Sequence, residues 1–323
     1  MSRPIVITGA SGFVGANLCR YFSERGTPVV AVEGPSHTAW RMRDLPKVRK
    51  VNVDLAIEKD VQDFVAQTNP IAVFNLAAYG AYSNQTDTDR IYRVNLDAVR
   101  YLLGAVRSLS GFRAFVQAGS SSEYGMNCTA PLESSATIPD SDYAVSKVAA
   151  SSLVQYYGKK HGIPAWGFRL YSIYGPYEDV SRLIPKLLLH AAEGKLPPLV
   201  NPKISRDFVH VDDISRAFEK ILERSDTLVK GEIYNIGAGN RVTLEELVAA
   251  VKRVFGVSAE PAWGSMANRH WDHADWFSNP RKALDHFGWR AERSLDDGLV
   301  DTMKWFRENE ALMRDAAAES VVR

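Results

Sequence analysis

Short apolar runs recur along the first half of the chain, each followed by a glycine-rich or polar stretch and then by helical periodicity. Ile5-Val6-Ile7, Val29-Val30-Ala31-Val32, Val51 to Leu55, Ala72 to Ala78, Ala114 to Ala118 and Trp166 to Leu170 read as strands buried on both faces. Between them, Ala16 to Phe22 and Tyr143 to His161 read as helices. So does Asp89 to Leu109, where Ile91, Val94, Leu96, Val99, Leu102 and Leu103 mark one buried face. Strand alternating with helix predicts an α/β fold built on a doubly wound parallel sheet. From Tyr174-Gly175-Pro176 the alternation loosens, which predicts a smaller C-terminal α/β lobe. Asp207 to Val211 and Ile233 to Gly237 read as returning strands around a helix from Asp212 to Arg224, with Asp212 and Asp213 expected to cap it. Thr243 is an N-cap candidate for the next helix, and the last residues, Ala316 to Arg323, read as frayed. The division expected is 1–174 plus about 207–237 for the sheet domain, and about 175–206 plus 238–323 for the second lobe. No internal repeat or linker separates them.

The first strand–helix junction carries the strongest chemical signal. Thr8-Gly9-Ala10-Ser11-Gly12-Phe13-Val14-Gly15 spaces its glycines G-x-x-G-x-x-G, one residue longer at the first gap than the dinucleotide fingerprint. Gly9 suits a tight turn, Gly12 lets backbone approach a pyrophosphate, and Gly15 lets helix and strand pack closely. Free N–H groups at the helix start then face the anion. Glu33, at the end of the second strand, can accept hydrogen bonds from the adenosine ribose and repel a 2′-phosphate, which favours NAD. The nearby Arg41 and Arg43 keep NADP open. Asp54, with Leu55, is placed for the adenine edge, and the fourth strand, with Leu76, ends in small residues, Ala77 and Ala78, that leave room for a cofactor to cross the strand tips.

Composition narrows the class further. In 323 residues, 39 basic and 38 acidic side chains leave a formal charge of +1, so no net field recruits nucleic acid or an anionic membrane. No apolar run approaches the ~20 residues needed to span a bilayer, and the N-terminus does not read as a signal peptide. Two cysteines, Cys19 and Cys128, are too few for a disulfide framework or a zinc site; a reducing, cytoplasmic setting is expected, and no metal-ligand spacing surrounds His210 or His270.

Tyr143 and Lys147 stand four residues apart and share a helix face. An ammonium beside a phenol is expected to favour the phenolate and lower its pKa, and the lysine can also hold a ribose hydroxyl. Ser120, at the tip of the fifth strand, can hydrogen-bond the same substrate oxygen as Tyr143. The three describe proton transfer at a secondary alcohol coupled to hydride transfer.

With these residues in place the chain resembles the extended short-chain dehydrogenase/reductase family, within it the nucleotide-sugar epimerases, 4-keto reductases and 4,6-dehydratases. The motifs that carry the resemblance are Thr8 to Gly15, Asn75 to Ala78, Val94-Asn95, Gly119-Ser120-Ser121-Ser122-Glu123-Tyr124-Gly125, Tyr143 to Lys147, Arg169 to Pro176 and Arg206 to Asp213. They span about three quarters of the chain in family order. The resemblance implies a Rossmann-type domain, a tightly held NAD(P), Tyr143 as base with Lys147 as partner, and Ser120 as polarising hydroxyl. It further implies Tyr171 at the cofactor, Ser121, Ser122, Arg206 and Arg269 at a nucleotide-diphosphate sugar, and a homodimer through the helices 89–109 and 143–161. The 4,6-dehydratases carry an Asp-Glu pair directly after the strand-tip Ser/Thr; Ser121 and Ser122 stand there in this chain. Glu123 follows one position later and, read as a strand, faces the other way. A dehydratase is therefore disfavoured. The reading is a 4-epimerase, with a 4-keto-6-deoxy-sugar reductase as runner-up and a non-catalytic dinucleotide-binding regulator as the rival of another class.

Overall fold

Seven parallel strands form the central sheet of the computed structural model, which describes residues 3–34, 40–82, 84–265 and 275–312. In chain order they are β1 (Ile5–Thr8), β2 (Val29–Glu33), β3 (Arg49–Asn52), β4 (Ala72–Asn75), β5 (Ala114–Ser120) and β6 (Ala165–Leu170), then, after three short strands, β10 (Ile233–Ile236). The spatial order is β10-β6-β5-β4-β1-β2-β3. The chain winds outward from β1 to β3, then restarts at β4 on the other side of β1, so the order reverses between β1 and β4. Connections leave in opposite directions at such a switch point, opening a crevice at the strand tips.

Alternation along each strand feeds the two faces of the sheet. Ile5, Ile7, Phe74, Val116 and Phe168 join Leu18 and Phe22 of the helix Phe13–Glu24 and Phe218 and Ile221 of the helix Val211–Glu223. On the opposite face, Val6, Val30, Val73 and Phe115 meet Val61 and Val65 of Glu58–Thr68, Val99 and Leu102 of Ala98–Val106, and Val154 of Asp142–His161. A third cluster belongs to the C-terminal helices. Leu187 and Leu188 of Leu183–Ala192, Leu247 and Val251 of Leu244–Phe255, and Leu299 and Met303 of Leu295–Glu308 enclose Trp40, Tyr174 and Tyr177.

The remaining strands are small. β7 (Ser172–Tyr174) pairs in parallel with β9 (Phe208–His210), and β8 (Ser205–Arg206) pairs antiparallel with β11 (Val242–Thr243). The expected strand at Asp207 to Val211 thus stays out of the main sheet, while Ile233 to Ile236 becomes its edge. β3 begins two residues before the expected run and ends at Asn52, after which Asp54 turns the chain, its carboxylate accepting the Ala56 N–H at 3.0 Å. Asp212 and Asp213 lie in the first turn of their helix, but the N-cap is His210, whose ring accepts the Asp212 N–H. Thr243 caps its helix as expected, in a reciprocal pair with Glu246. The helical stretch expected from Asp89 to Leu109 is interrupted: one π turn, Arg93–Asp97, separates Thr88–Tyr92 from Ala98–Val106.

Candidate active site

A polar ladder fixes the three central strand tips. Thr8 donates to Asn75, Asn75 Nδ2 donates to Gln117 Oε1 at 2.7 Å, and Gln117 passes on to the Ala118 carbonyl at 3.0 Å. All three side chains are fully buried, so the ladder is satisfied internally and holds the crevice rim in register.

The glycine loop rises from the first of these tips. Gly9 takes φ +62°, and a Cβ there would meet the Leu76 and Ala77 backbone at 2.7 Å. A Cβ on Gly15 would lie 2.3 Å from the Gly9 carbonyl, so helix and loop are in direct backbone contact. The helix Phe13–Glu24 that follows has Gly12 as N-cap, no side-chain cap and no acidic residue in its first turn. Its leading N–H groups are left to an anion, with Ser11, Phe13 and Val14 beside them. Leu76, Ala77 and Ala78 flank the loop across the switch point, the Ala77 N–H held by Thr8.

Two unpartnered polar atoms test whether a dinucleotide fits this crevice. Glu33 Oε1, at the tip of β2, is buried without a hydrogen-bond partner among the described residues, where a ribose diol would donate to it. The Tyr171 hydroxyl, just past β6, is likewise buried and unpartnered. Both are residues expected at the cofactor, and both lack what a ligand supplies. Arg41 is engaged elsewhere: Nε donates to the Tyr177 carbonyl at 2.7 Å and Nη1 to the Ser11 carbonyl at 3.4 Å. Asp54 is exposed and bound to its own turn, and Leu55 is half-buried beside it.

The catalytic candidates converge at the tip of β5. The side chains of Ser120 and Tyr143 lie close enough for the serine to favour the phenolate, and Ser122 Oγ donates to Ser120 Oγ at 2.8 Å. Burial pushes the Tyr143 phenol up to about 12; Ser120 opposes this, Glu123 adds to it and Arg182 opposes it. Lys147 is 2% exposed and donates to the Ala118 carbonyl at 2.9 Å. Its Nζ lies 5.6 Å from the Tyr143 ring centroid, and burial lowers it to about 8. The expected depression of the tyrosine by its lysine is therefore absent here. Lys147 is turned to a backbone carbonyl, and desolvation of the phenol outweighs every charge around it.

Glu123 is placed differently from its strand-like reading. Ser121–Tyr124 is a 3₁₀ turn capped by Ser120, and Glu123 returns to accept the Ser120 N–H at 2.9 Å. Its other oxygen accepts from Arg169 Nε and from Ser151 Oγ, both at 2.8 Å, in full burial. Both carboxylate oxygens are thus engaged by neighbouring protein groups, an arrangement set by the turn and not by strand alternation. Ser121 is buried and Ser122 half-buried at the same rim.

Asn95, quoted above only as a motif residue, closes the other side of the catalytic helix. Sitting in the π turn, it bonds the Tyr79 N–H and carbonyl at 2.9 and 2.8 Å and donates to Ser146 Oγ at 3.0 Å. A buried Asn inside a helical apolar pattern was the signal for it. Arg206 lies apart from this group, its guanidinium 5.1 Å from the Trp276 ring and donating to the Ser205 carbonyl. Arg269 lies outside the described residues.

A doubly wound sheet with a glycine loop at its switch point, and Ser120, Tyr143 and Lys147 gathered at the tip of β5, is the arrangement of a dinucleotide-binding α/β fold. The chain belongs to the NAD dependent epimerase/dehydratase family, whose model matches residues 5–237. This bears out the resemblance to extended short-chain dehydrogenases/reductases, the Rossmann-type fold and NAD as cofactor. A trifunctional UDP-glucose 4,6-dehydratase/UDP-4-keto-6-deoxy-D-glucose 3,5-epimerase/UDP-4-keto-L-rhamnose-reductase of Arabidopsis thaliana is 25% identical over 95% of this chain. The match covers 47% of that protein, so the chain spans about half the length of the first curated relatives it matches. Among solved structures, UDP-glucose 4-epimerase of Thermotoga maritima, with UDP-glucose, superposes with TM-score 0.85 at 23% identity, over 95% of this chain and 99% of that one. A dTDP-glucose 4,6-dehydratase of Bacillus anthracis, in complex with NAD, gives TM-score 0.83 at 24% identity, over 98% and 100%. No helix among the described residues is long and apolar enough to cross a membrane.

Proposed function

We propose that this chain is an NAD-dependent nucleotide-sugar 4-epimerase with Tyr143 as its base. The observation that carries the reading is the gathering of Ser120, Tyr143 and buried Lys147 at the tip of β5, Tyr143 and Lys147 one helical turn apart and Lys147 tied to the Ala118 carbonyl at 2.9 Å. NAD, when bound, supplies a reversible acceptor for the hydride at sugar C4. Tyr143 takes the proton of the 4-hydroxyl and returns it after the 4-keto sugar has turned over in the pocket. Ser120 donates a hydrogen bond to the same oxygen as it becomes a carbonyl. Lys147 is assigned to a ribose hydroxyl. In this reading residues 1–174 and about 207–237 hold the cofactor, and the rest, with Arg206 and Arg269 on the diphosphate, hold the nucleotide sugar.

The alternative, a 4-keto-6-deoxy-sugar reductase, uses the same groups once and in reverse; the reductase activity in the name of the plant relative speaks for it. A homodimer across the helices 88–106 and Asp142–His161 belongs to the same reading, since Val145 and Tyr156 on the second are 40% and 53% exposed. So does a cytoplasmic setting, with Cys19 and Cys128 both buried and unbridged.

Tyr143→Phe tests the mechanism, because it keeps the ring and removes the proton acceptor. With the sugar nucleotide identified from ligand released by fresh protein, the rate should fall ~10²–10⁴-fold while NAD binding survives. Net interconversion of two 4-epimers without added cofactor supports the epimerase; stoichiometric consumption of NADH or NADPH supports the reductase. A wild-type rate in Tyr143→Phe would refute both.

A further inference from the structure

The turn past β5 is built so that one serine hydroxyl bears on another. β5 ends at Ser120 in extended backbone, φ −146° and ψ 145°, and the chain then tightens into the 3₁₀ turn Ser121–Tyr124. Glu123 closes the turn by accepting the Ser120 N–H at 2.9 Å. Its carboxylate fits there only over a glycine, for a Cβ on Gly119 would lie 2.5 Å from Glu123 Oε1. Arg169 Nε from β6 and Ser151 Oγ from the helix Asp142–His161, both at 2.8 Å, hold the other oxygen. The turn is thereby tied to the neighbouring strand and to the helix that carries Tyr143 and Lys147.

So fixed, the turn brings Ser122 back over Ser120. The Ser122 N–H reaches Ser120 Oγ at 3.2 Å, and Ser122 Oγ donates to the same oxygen at 2.8 Å. A serine hydroxyl has two acceptor lone pairs and one hydrogen to donate. Ser122 takes both lone pairs of Ser120, which leaves the Ser120 hydrogen for a further partner. With the backbone N–H alone, the hydroxyl could rotate and turn a lone pair toward an approaching oxygen. Two oxygens facing through lone pairs repel, whereas a donor already in place needs no reorganisation as charge develops on the reacting oxygen.

We propose that Ser122 is a positioning residue of the catalytic centre, whose hydroxyl fills the second lone pair of Ser120 and so keeps the Ser120 hydrogen for the reacting sugar oxygen. The inference rests on the reading of Ser120 as the polarising hydroxyl. It moves the role of Ser122 from a contact with the sugar to a contact with Ser120. Glu123 serves the same end one step further back, because the turn it closes sets the distance between the two serines.

Neutron diffraction from deuterium-exchanged crystals of the holoenzyme tests the arrangement directly. The expected map has the Ser122 deuterium between the two oxygens and the Ser120 deuterium turned away from Ser122. A Ser120 deuterium lying between them overturns the proposal. Kinetics test the consequence, with UDP-glucose as probe and hydride transfer read as reduction of bound NAD. Ser122→Ala keeps the backbone N–H and should lower kcat about 3–10-fold at unchanged KM, the size of one neutral hydrogen bond. Ser122→Thr, which keeps the hydroxyl, should restore the rate. Ser120→Ala should cost at least ~10²-fold, and in that background Ser122→Ala should add less than about twofold. A wild-type kcat in Ser122→Ala overturns the proposal. So does an undiminished effect without Ser120, or a loss confined to KM as a direct sugar contact would give. Should UDP-glucose not be turned over, the neutron map decides by itself. A mistaken choice of reaction would show instead as a wild-type rate in Tyr143→Phe.

Discussion

Two buried glutamates are treated in opposite ways. Glu123, under the tip of β5, is fully enclosed and accepts from Arg169, Ser151 and the Ser120 N–H. Glu178, in the turn past β7, has an oxygen that no described group satisfies. The first is scaffold: its charge is matched by a buried guanidinium, and it shapes the turn that presents Ser120. The second keeps an unsatisfied oxygen, as Glu33 does at the tip of β2. The buried cations divide likewise. Arg169 meets a carboxylate, whereas Lys147 meets only the Ala118 carbonyl and is lowered to about 8. Completeness of partnership, more than burial, separates Glu123 and Arg169 from Glu178, Glu33 and Lys147.

The contrast can be broken most directly at Glu123. Glu123→Ala leaves Arg169 buried and unpaired, and should cost about 3–5 kcal/mol in denaturant unfolding; a loss below about 1 kcal/mol would mean that Glu123 is not scaffold. Next in size is Lys147. Its folded-state pKa lies below its ordinary 10.5, so between pH 8 and 10.5 the unfolded chain binds the extra proton and stability rises with pH. Below that window the buried charge costs about 3 kcal/mol. Lys147→Met, in the cofactor-free protein, should therefore unfold at higher temperature than wild type at neutral pH, with the gap closing as pH rises through the window. A gap that widened with pH would reverse the assignment. The smallest effect concerns Glu33. If its unpartnered oxygen awaits a ribose diol, calorimetry should show NAD bound at least about tenfold more tightly than NADP, about 1.4 kcal/mol. Tighter NADP would count against it and turn attention to Arg43, since Arg41 is already engaged with Tyr177 and Ser11.

The sheet strands, the glycine loop and the shared helix of Tyr143 and Lys147 were legible in the residues because each depends on local spacing. A strand buried on both faces must be apolar throughout, a pyrophosphate loop must lack Cβ atoms where backbone meets backbone, and a pair four residues apart on a helix must share a face. What spacing alone could not decide was where side chains end. Whether Glu123 faced the substrate depended on a 3₁₀ turn that a capping contact creates, and on Arg169, which arrives from the neighbouring strand. The cap of the helix at Val211 went to His210 instead of to either aspartate, because β9 ends on His210 and brings its ring to the Asp212 N–H. The tyrosine's pKa followed from enclosure by parts of the chain far from it in sequence, which no i, i+4 rule contains. Glu178 is the extreme case. In the sequence it is one polar residue after a Gly-Pro-Tyr turn. Tertiary contacts of Tyr177, at φ +68°, with Arg20, Asp44 and Trp305 turn it inward, because only distant residues can hold a bulky side chain in a left-handed backbone.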